Sequence, residues 1–197
     1  MNSRIAAPLA RFVAFLAVVV ATTMPVHATT LSILPSFLNV TVGQSFSLDI
    51  QIDGVADLYG FQFDLGFDPT LLSATSITEG AFLVLGGDTL YIDGMIDNAS
   101  GTVSNTANVL NGAVPGVSGT GILATVNFDA LATGISDINI FNIVLLDSSL
   151  SDIQASNISS GRVTVSNSGI PAPEPSPLFL AGAGLVGLMF SRRRSTI

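Results

Sequence analysis

The stretch FSLDIQIDGVADLYGFQFDLGFD, Phe46 to Asp68, decides the fold. Phe46, Leu48, Ile50 and Ile52 alternate with Ser47, Asp49, Gln51 and Asp53. After a short interruption, Phe61, Phe63, Leu65 and Phe67 alternate with Gln62, Asp64, Gly66 and Asp68. A period of two sends successive side chains to opposite sides, so each half predicts a strand with one buried face. Further out, Ile122, Ala124, Val126 and Phe128 alternate with Leu123, Thr125, Asn127 and Asp129. Shorter runs at Leu31–Ile33, Leu90–Ile92, Val103–Val109 and Val163–Val165 extend the series. Around Ile138, Ile140, Phe141 and Ile143 the period slips by one residue, which predicts a bulge. Turn signals at Asp53-Gly54, Asp93-Gly94, Ser100-Gly101, Asn111-Gly112 and Ser160-Gly161 separate the runs. Many short strands with regular turns and no sustained helical period predict an all-β sandwich.

The chain of 197 residues is 48% hydrophobic and only 10% charged, but the ends account for much of that imbalance. Residues 1–28 open with Arg4 and Arg11, continue through the apolar run Phe12–Ala21 and close on Val26-His27-Ala28. This is the pattern of a secretory signal peptide cut after Ala28. Ten apolar residues make a helix of ~15 Å, about half a hydrocarbon core, too short for an anchor. At the other end, a proline-rich linker at 169–177 precedes a short apolar helix and arginine cluster at 178–197. Leu178–Phe190 is uncharged, and Arg192, Arg193 and Arg194 follow as a membrane stop that resists export. The apolar run spans only ~20 Å, which suits a transient membrane association or a processed sorting signal.

Pro173-Glu174-Pro175, the short Leu/Gly-rich helix and the terminal arginines resemble the PEP-CTERM sorting signal of Gram-negative bacteria, over residues 171–197. Ala172 stands where valine is commoner. The resemblance implies processing by an exosortase, a membrane-embedded cysteine protease, and association with exopolysaccharide-producing cells. The expected destination is the cell surface or extracellular matrix.

Between the ends, one domain at 29–168 remains. Val42–Ala74 is similar to the opening strands of cohesin domains, and so are Gly80–Leu83, Ile96–Ser104 and Gly116–Leu131, in family order. The resemblance implies a jelly-roll sandwich of about nine strands, a fold shared with some carbohydrate-binding modules. It also implies a non-catalytic receptor that binds dockerin modules through one sheet face and helps assemble polysaccharide-degrading complexes. The alternative is a carbohydrate-binding module that attaches directly to extracellular polysaccharide.

The residue inventory agrees with binding rather than catalysis. There is no Cys, Trp or Lys, and the single histidine, His27, leaves with the signal peptide. Thiol nucleophiles, zinc–thiolate sites, Schiff-base lysines and Ser–His pairs are thereby excluded from the mature domain. Glu174 and five of the six arginines lie outside residues 29–170, leaving thirteen acids and one arginine, a formal charge of −12. Such a surface cannot neutralise phosphates, so nucleic acid is excluded as a partner. No cofactor is expected, except that clustered acids could hold calcium. The candidates are Asp93 and Asp97 with Asn98, and Asp147 and Asp152 beside Ser148-Ser149. Paired carboxylates for glycoside hydrolysis would be Asp64 with Asp68 or Asp93 with Asp97, but these read more simply as water-facing strand and turn residues. Tyr59, in line with Phe61 and Phe63, reads as core. The sequons at Asn39, Asn98 and Asn157 carry no weight in a chain so rich in Asn, Ser and Thr.

Overall fold

A computed structural model describes residues 28–167. The expected signal peptide (apart from Ala28), the linker and the C-terminal helix lie outside the described residues, and so do the motif residues Pro173, Glu174 and Pro175.

The domain is built of eleven strands: β1 Thr30–Leu34, β2 Phe37–Thr41, β3 Ser45–Gly66, β4 Leu72–Glu79, β5 Thr89–Ile92, β6 Met95–Asp97, β7 Thr102–Leu110, β8 Val117–Ala130, β9 Gly134–Asp147, β10 Asn157–Ser159 and β11 Gly161–Ser166. One 3-10 turn, Leu83–Gly86, lies between β4 and β5. Two more strands are present than expected; β2, which follows β1 across Pro35-Ser36 and joins the other layer, lies in none of the runs read from the sequence.

The largest departure from the sequence reading lies in the deciding stretch. Asp53-Gly54 is not a turn; both alternating runs belong to one 22-residue strand, β3. Gly54 (φ 67°) and Asp57 (φ 58°) adopt left-handed conformations, and the register against β8 shifts between Ile52 and Leu58. Irregularities of this kind bend a strand without ending it. The first half of β3 therefore pairs with β1 and β8 in one layer, and the second half with β7 and β9 in the other. Layer one runs β10–β1–β3–β8–β4; layer two runs β2–β11–β9–β3–β7, with β5 and β6 both on the far edge of β7.

The core lies between the layers. Leu48, Ile50, Ile52, Ala124, Val126 and Phe128 of layer one are buried, as are Phe61, Phe63, Leu65, Val103 and Leu145 of layer two. Phe67, just past β3, meets Phe128 edge-on at 5.2 Å between ring centroids, and Phe46 stacks on Phe128 at 5.6 Å. The outward position expected for Leu123 is corrected: a bulge opposite Ile50 and Gln51 shifts the phase of β8, and Leu123 is buried. The bulge expected near Phe141 is present, since Gln62 pairs with Val144 but Asp64 pairs with Phe141. Asn142 holds the extra position at φ 50°.

Candidate functional site: the outer face of layer two

The outer faces of the two layers are chemically opposite. On layer one the outward side chains bond to one another. Ser45 Oγ donates to Asp129 Oδ1 at 2.6 Å, Ser47 Oγ to Asn127 Oδ1 at 2.6 Å, and Thr125 Oγ1 to Asp49 Oδ1 at 2.6 Å. Asn127 Nδ2 continues the ladder to Ser76 Oγ at 2.9 Å. These groups already satisfy one another across the strands.

The outer face of layer two carries two apolar rows. Register places Leu90, Val109, Gly60 and Leu146 in one row across β5, β7, β3 and β9, and Ile92, Ala107, Gln62 and Val144 in the next. Leu90 is 62% exposed, Ile92 53% and Val144 40%. Between them runs a shallow groove of about 190 Å³. Gly60 forms part of its floor, and a Cβ there would stand 3.2 Å from the Asn108 carbonyl. Gln62 is the one polar side chain in the two rows. These two rows are the candidate interaction surface of the sheet.

Asp64 holds the lower end of this face in shape. It is 7% exposed, and its Oδ1 accepts the Asn105 backbone N–H at 2.7 Å while Oδ2 accepts Asn142 Nδ2 at 2.6 Å. Asn105 and Asn142 are the left-handed residues of bulges on β7 and β9, the two neighbours of β3. The expectation that Asp64 faces water is thus corrected. No residue spacing announced this lock, because its two partners lie 41 and 78 positions away.

Three of the other acidic candidates, Asp68, Asp97 and Asp147, have their carboxylates engaged in turns. Asp68 accepts Thr70 Oγ1 at 2.6 Å and the Thr70 N–H at 2.9 Å. Asp97 accepts Ser100 Oγ at 2.8 Å and the Ala99 N–H at 2.9 Å. Asp147 accepts the N–H groups of Ser149 and Ser151, at 2.8 and 2.9 Å. Asp152 bridges back to Leu146, and the Asp93 carbonyl accepts from Thr106. Asn98 exchanges hydrogen bonds with both backbone groups of Ala74, covering the edge of β4. Among the described residues no three His, Cys, Asp or Glu side chains converge to hold a metal ion.

Asp57 is a structural acid that the sequence reading missed. Its carboxylate receives Ser148 Oγ at 2.6 Å and the Gly116 N–H at 2.7 Å, tying two loops to the bend of β3 at one end of the sandwich. The Ser148 hydroxyl and then the Gly116 amide hold its carboxyl below the ordinary value of 3.8. Hydrogen bonds from Thr70, Ser100 and Arg162 do the same for Asp68, Asp97 and Asp137. A depressed folded-state pKa stabilises at pH above the unfolded value and is lost as pH falls through the folded one. The denaturation midpoint should therefore stay level from neutral pH to about 5 and fall progressively below about 4, as a urea titration across pH would show.

Both tyrosines serve the fold. Tyr59 packs against the core, as expected, and its hydroxyl donates to the Gly112 carbonyl at 2.6 Å. Tyr91 is partly buried with its hydroxyl enclosed, and burial, then Asp93 and Glu79, push its pKa up.

Comparison with known proteins fits this architecture. No curated protein sequence matches the chain. Similar solved structures include a non-cellulosomal cohesin from the archaeon Archaeoglobus fulgidus, at 14% identity and TM-score 0.56, covering 71% of this chain and 92% of that one. A cohesin from a type I cohesin–dockerin complex of Clostridium thermocellum aligns at 12% identity and TM-score 0.59, over 71% and 99% of the two chains. A type II cohesin domain from the cellulosome of Acetivibrio cellulolyticus aligns at 21% identity and TM-score 0.56, over 69% and 95%. The family model for the PEP-CTERM protein-sorting motif matches residues 171–194, and that for the cohesin domain matches residues 35–165. Cohesins are non-catalytic protein-binding modules, and the sorting motif belongs to exported, surface-directed proteins. The chain belongs to the cohesin family, joined here to a PEP-CTERM sorting motif.

Proposed function

We propose that the protein is an exported, non-catalytic docking module that receives a dockerin-type partner on the outer face of layer two. The contrast between the two outer faces carries this reading. One is a self-satisfied polar ladder; the other presents Leu90, Ile92, Val109 and Val144 around a groove. Apolar side chains exposed in two adjacent rows gain free energy only when a partner covers them. Direct attachment to polysaccharide has less support. Sugar binding favours a strip of exposed aromatic rings, and both tyrosines are turned into the fold. Titrating the full chain with dockerin modules from the same genome, beside a glycan array, separates the two.

The tail supplies the location. Signal peptidase cleavage after Ala28 releases the domain outside the inner membrane of a Gram-negative cell. Leu178–Phe190 then holds it there transiently, with Arg192, Arg193 and Arg194 inside, until an exosortase acts near Pro173-Glu174-Pro175. Glu174→Ala is expected to leave the protein in the membrane fraction, as immunoblots of fractionated cells would reveal. Normal release would contradict the sorting role.

A further inference from the structure

Asn111-Gly112 is the sole Asn-Gly pair in the chain, in the crossing from β7 to β8. Both residues are exposed, and Gly112 has φ 95° with nothing within 4 Å of where a Cβ would lie. Among the described residues, the Gly112 N–H and the Asn111 side-chain amide have no hydrogen-bond partner. The loop is held on either side, by the Asn111 N–H on the Asp88 carbonyl at 2.8 Å and by Tyr59 on the Gly112 carbonyl. Similar pairs are less open. At Asp93-Gly94, the Gly94 backbone is pressed against Thr106 Oγ1 and the Ser104 carbonyl, 2.6 and 2.7 Å from the Cβ position. Asn108-Val109 and Asn127-Phe128 lie within strands and are followed by bulky residues.

We propose that Asn111 is a site of spontaneous succinimide formation, deamidation and isoaspartate formation in the folded protein. A solvent base takes the Gly112 amide proton, and the nitrogen attacks Asn111 Cγ. The new N–Cγ bond forms as Cγ–Nδ2 breaks, and the amide nitrogen leaves as ammonia. Water then opens the five-membered ring. Cleavage at Cγ leaves aspartate, whereas cleavage at the main-chain carbonyl leaves isoaspartate, with the chain running through Cγ. No oxidant or reductant takes part. Glycine permits the approach because no Cβ blocks the nitrogen. Either product adds a negative charge beside the cleft formed by Tyr59, Val114, Pro115, Ser148 and Leu150. Isoaspartate also lengthens the backbone next to the carbonyl that anchors Tyr59.

The test is to age the purified full chain in mildly alkaline buffer, natively and in denaturant, and to map it by peptide mass spectrometry. The native chain should gain about one dalton on the peptide containing Asn111, with aspartate and isoaspartate forms resolved by chromatography. Asn111→Gln should abolish that gain. Reaction in the denatured chain alone, or equal gain at another asparagine, would overturn the proposal. So would an unchanged Asn111 in both samples.

Discussion

Replacing Asp64 with alanine is expected to destabilise the domain by about 2–4 kcal/mol, read as a lower urea midpoint. The carboxylate bonds the Asn105 N–H and Asn142 Nδ2 inside a site that is 7% exposed. Removing it takes the acceptor from both donors; a hydrogen bond to a charged group is worth about 1.5–3 kcal/mol, and water reaching the exposed Asn105 and Asn142 offsets part of the loss. The loss also reaches both neighbours of β3, because each donor belongs to a left-handed bulge residue. Asp64→Asn should recover part of the loss. Its amide oxygen can keep the Asn105 bond, and a flip of the Asn142 amide can present an acceptor to the new NH₂ group. If the two substitutions cost the same, the carboxylate's charge and second acceptor, and neither side-chain volume nor a single retained acceptor, are what matter at this site.

The double substitution Ile92→Asp with Val144→Asp is expected to weaken dockerin-type binding at least ~100-fold, about 3 kcal/mol. The two side chains stand at the ends of one row, Ile92 of β5 beside Ala107 and Val144 of β9 beside Gln62, both lining the groove. Each new carboxylate would have to lose water against an apolar partner surface with no cation of this domain to receive it. Arg162 is the single Lys or Arg among the described residues, and it pairs with Asp137 at 2.6 Å. Both substituted positions are solvent-exposed, so the urea midpoint should move by less than about 1 kcal/mol. Isothermal titration of wild type and variant against the same dockerin supplies the comparison.

The fold was legible wherever one face is buried and the other wet. The alternation in Phe46–Asp53 and Phe61–Asp68 located both halves of β3, although the turn residues Asp53-Gly54 concealed their continuity. A glycine with positive φ serves a bend within a strand as well as a turn between strands. In β4, a register shift between Ala74 and Ser76 breaks the period that would have marked it as a strand. The slip near Phe141 was readable as a bulge, but its hold by Asp64 was not, because that hydrogen bond joins distant segments. The proposed docking face left a fainter trace. Val144-Leu145-Leu146 is apolar on both parities, so one side had to face outward, and only pairing with β3 shows which.

The most direct test of the account is a methyl NMR titration of the domain-bearing chain with a dockerin module that binds it. The account predicts that the methyl signals of Leu90, Ile92, Val109 and Val144 shift and saturate together. Thr78 and Thr125, on the polar outer face of layer one, should stay in place. Saturable shifts confined to layer one or to the loop end around Leu150, with Leu90, Ile92 and Val144 unmoved, would contradict it.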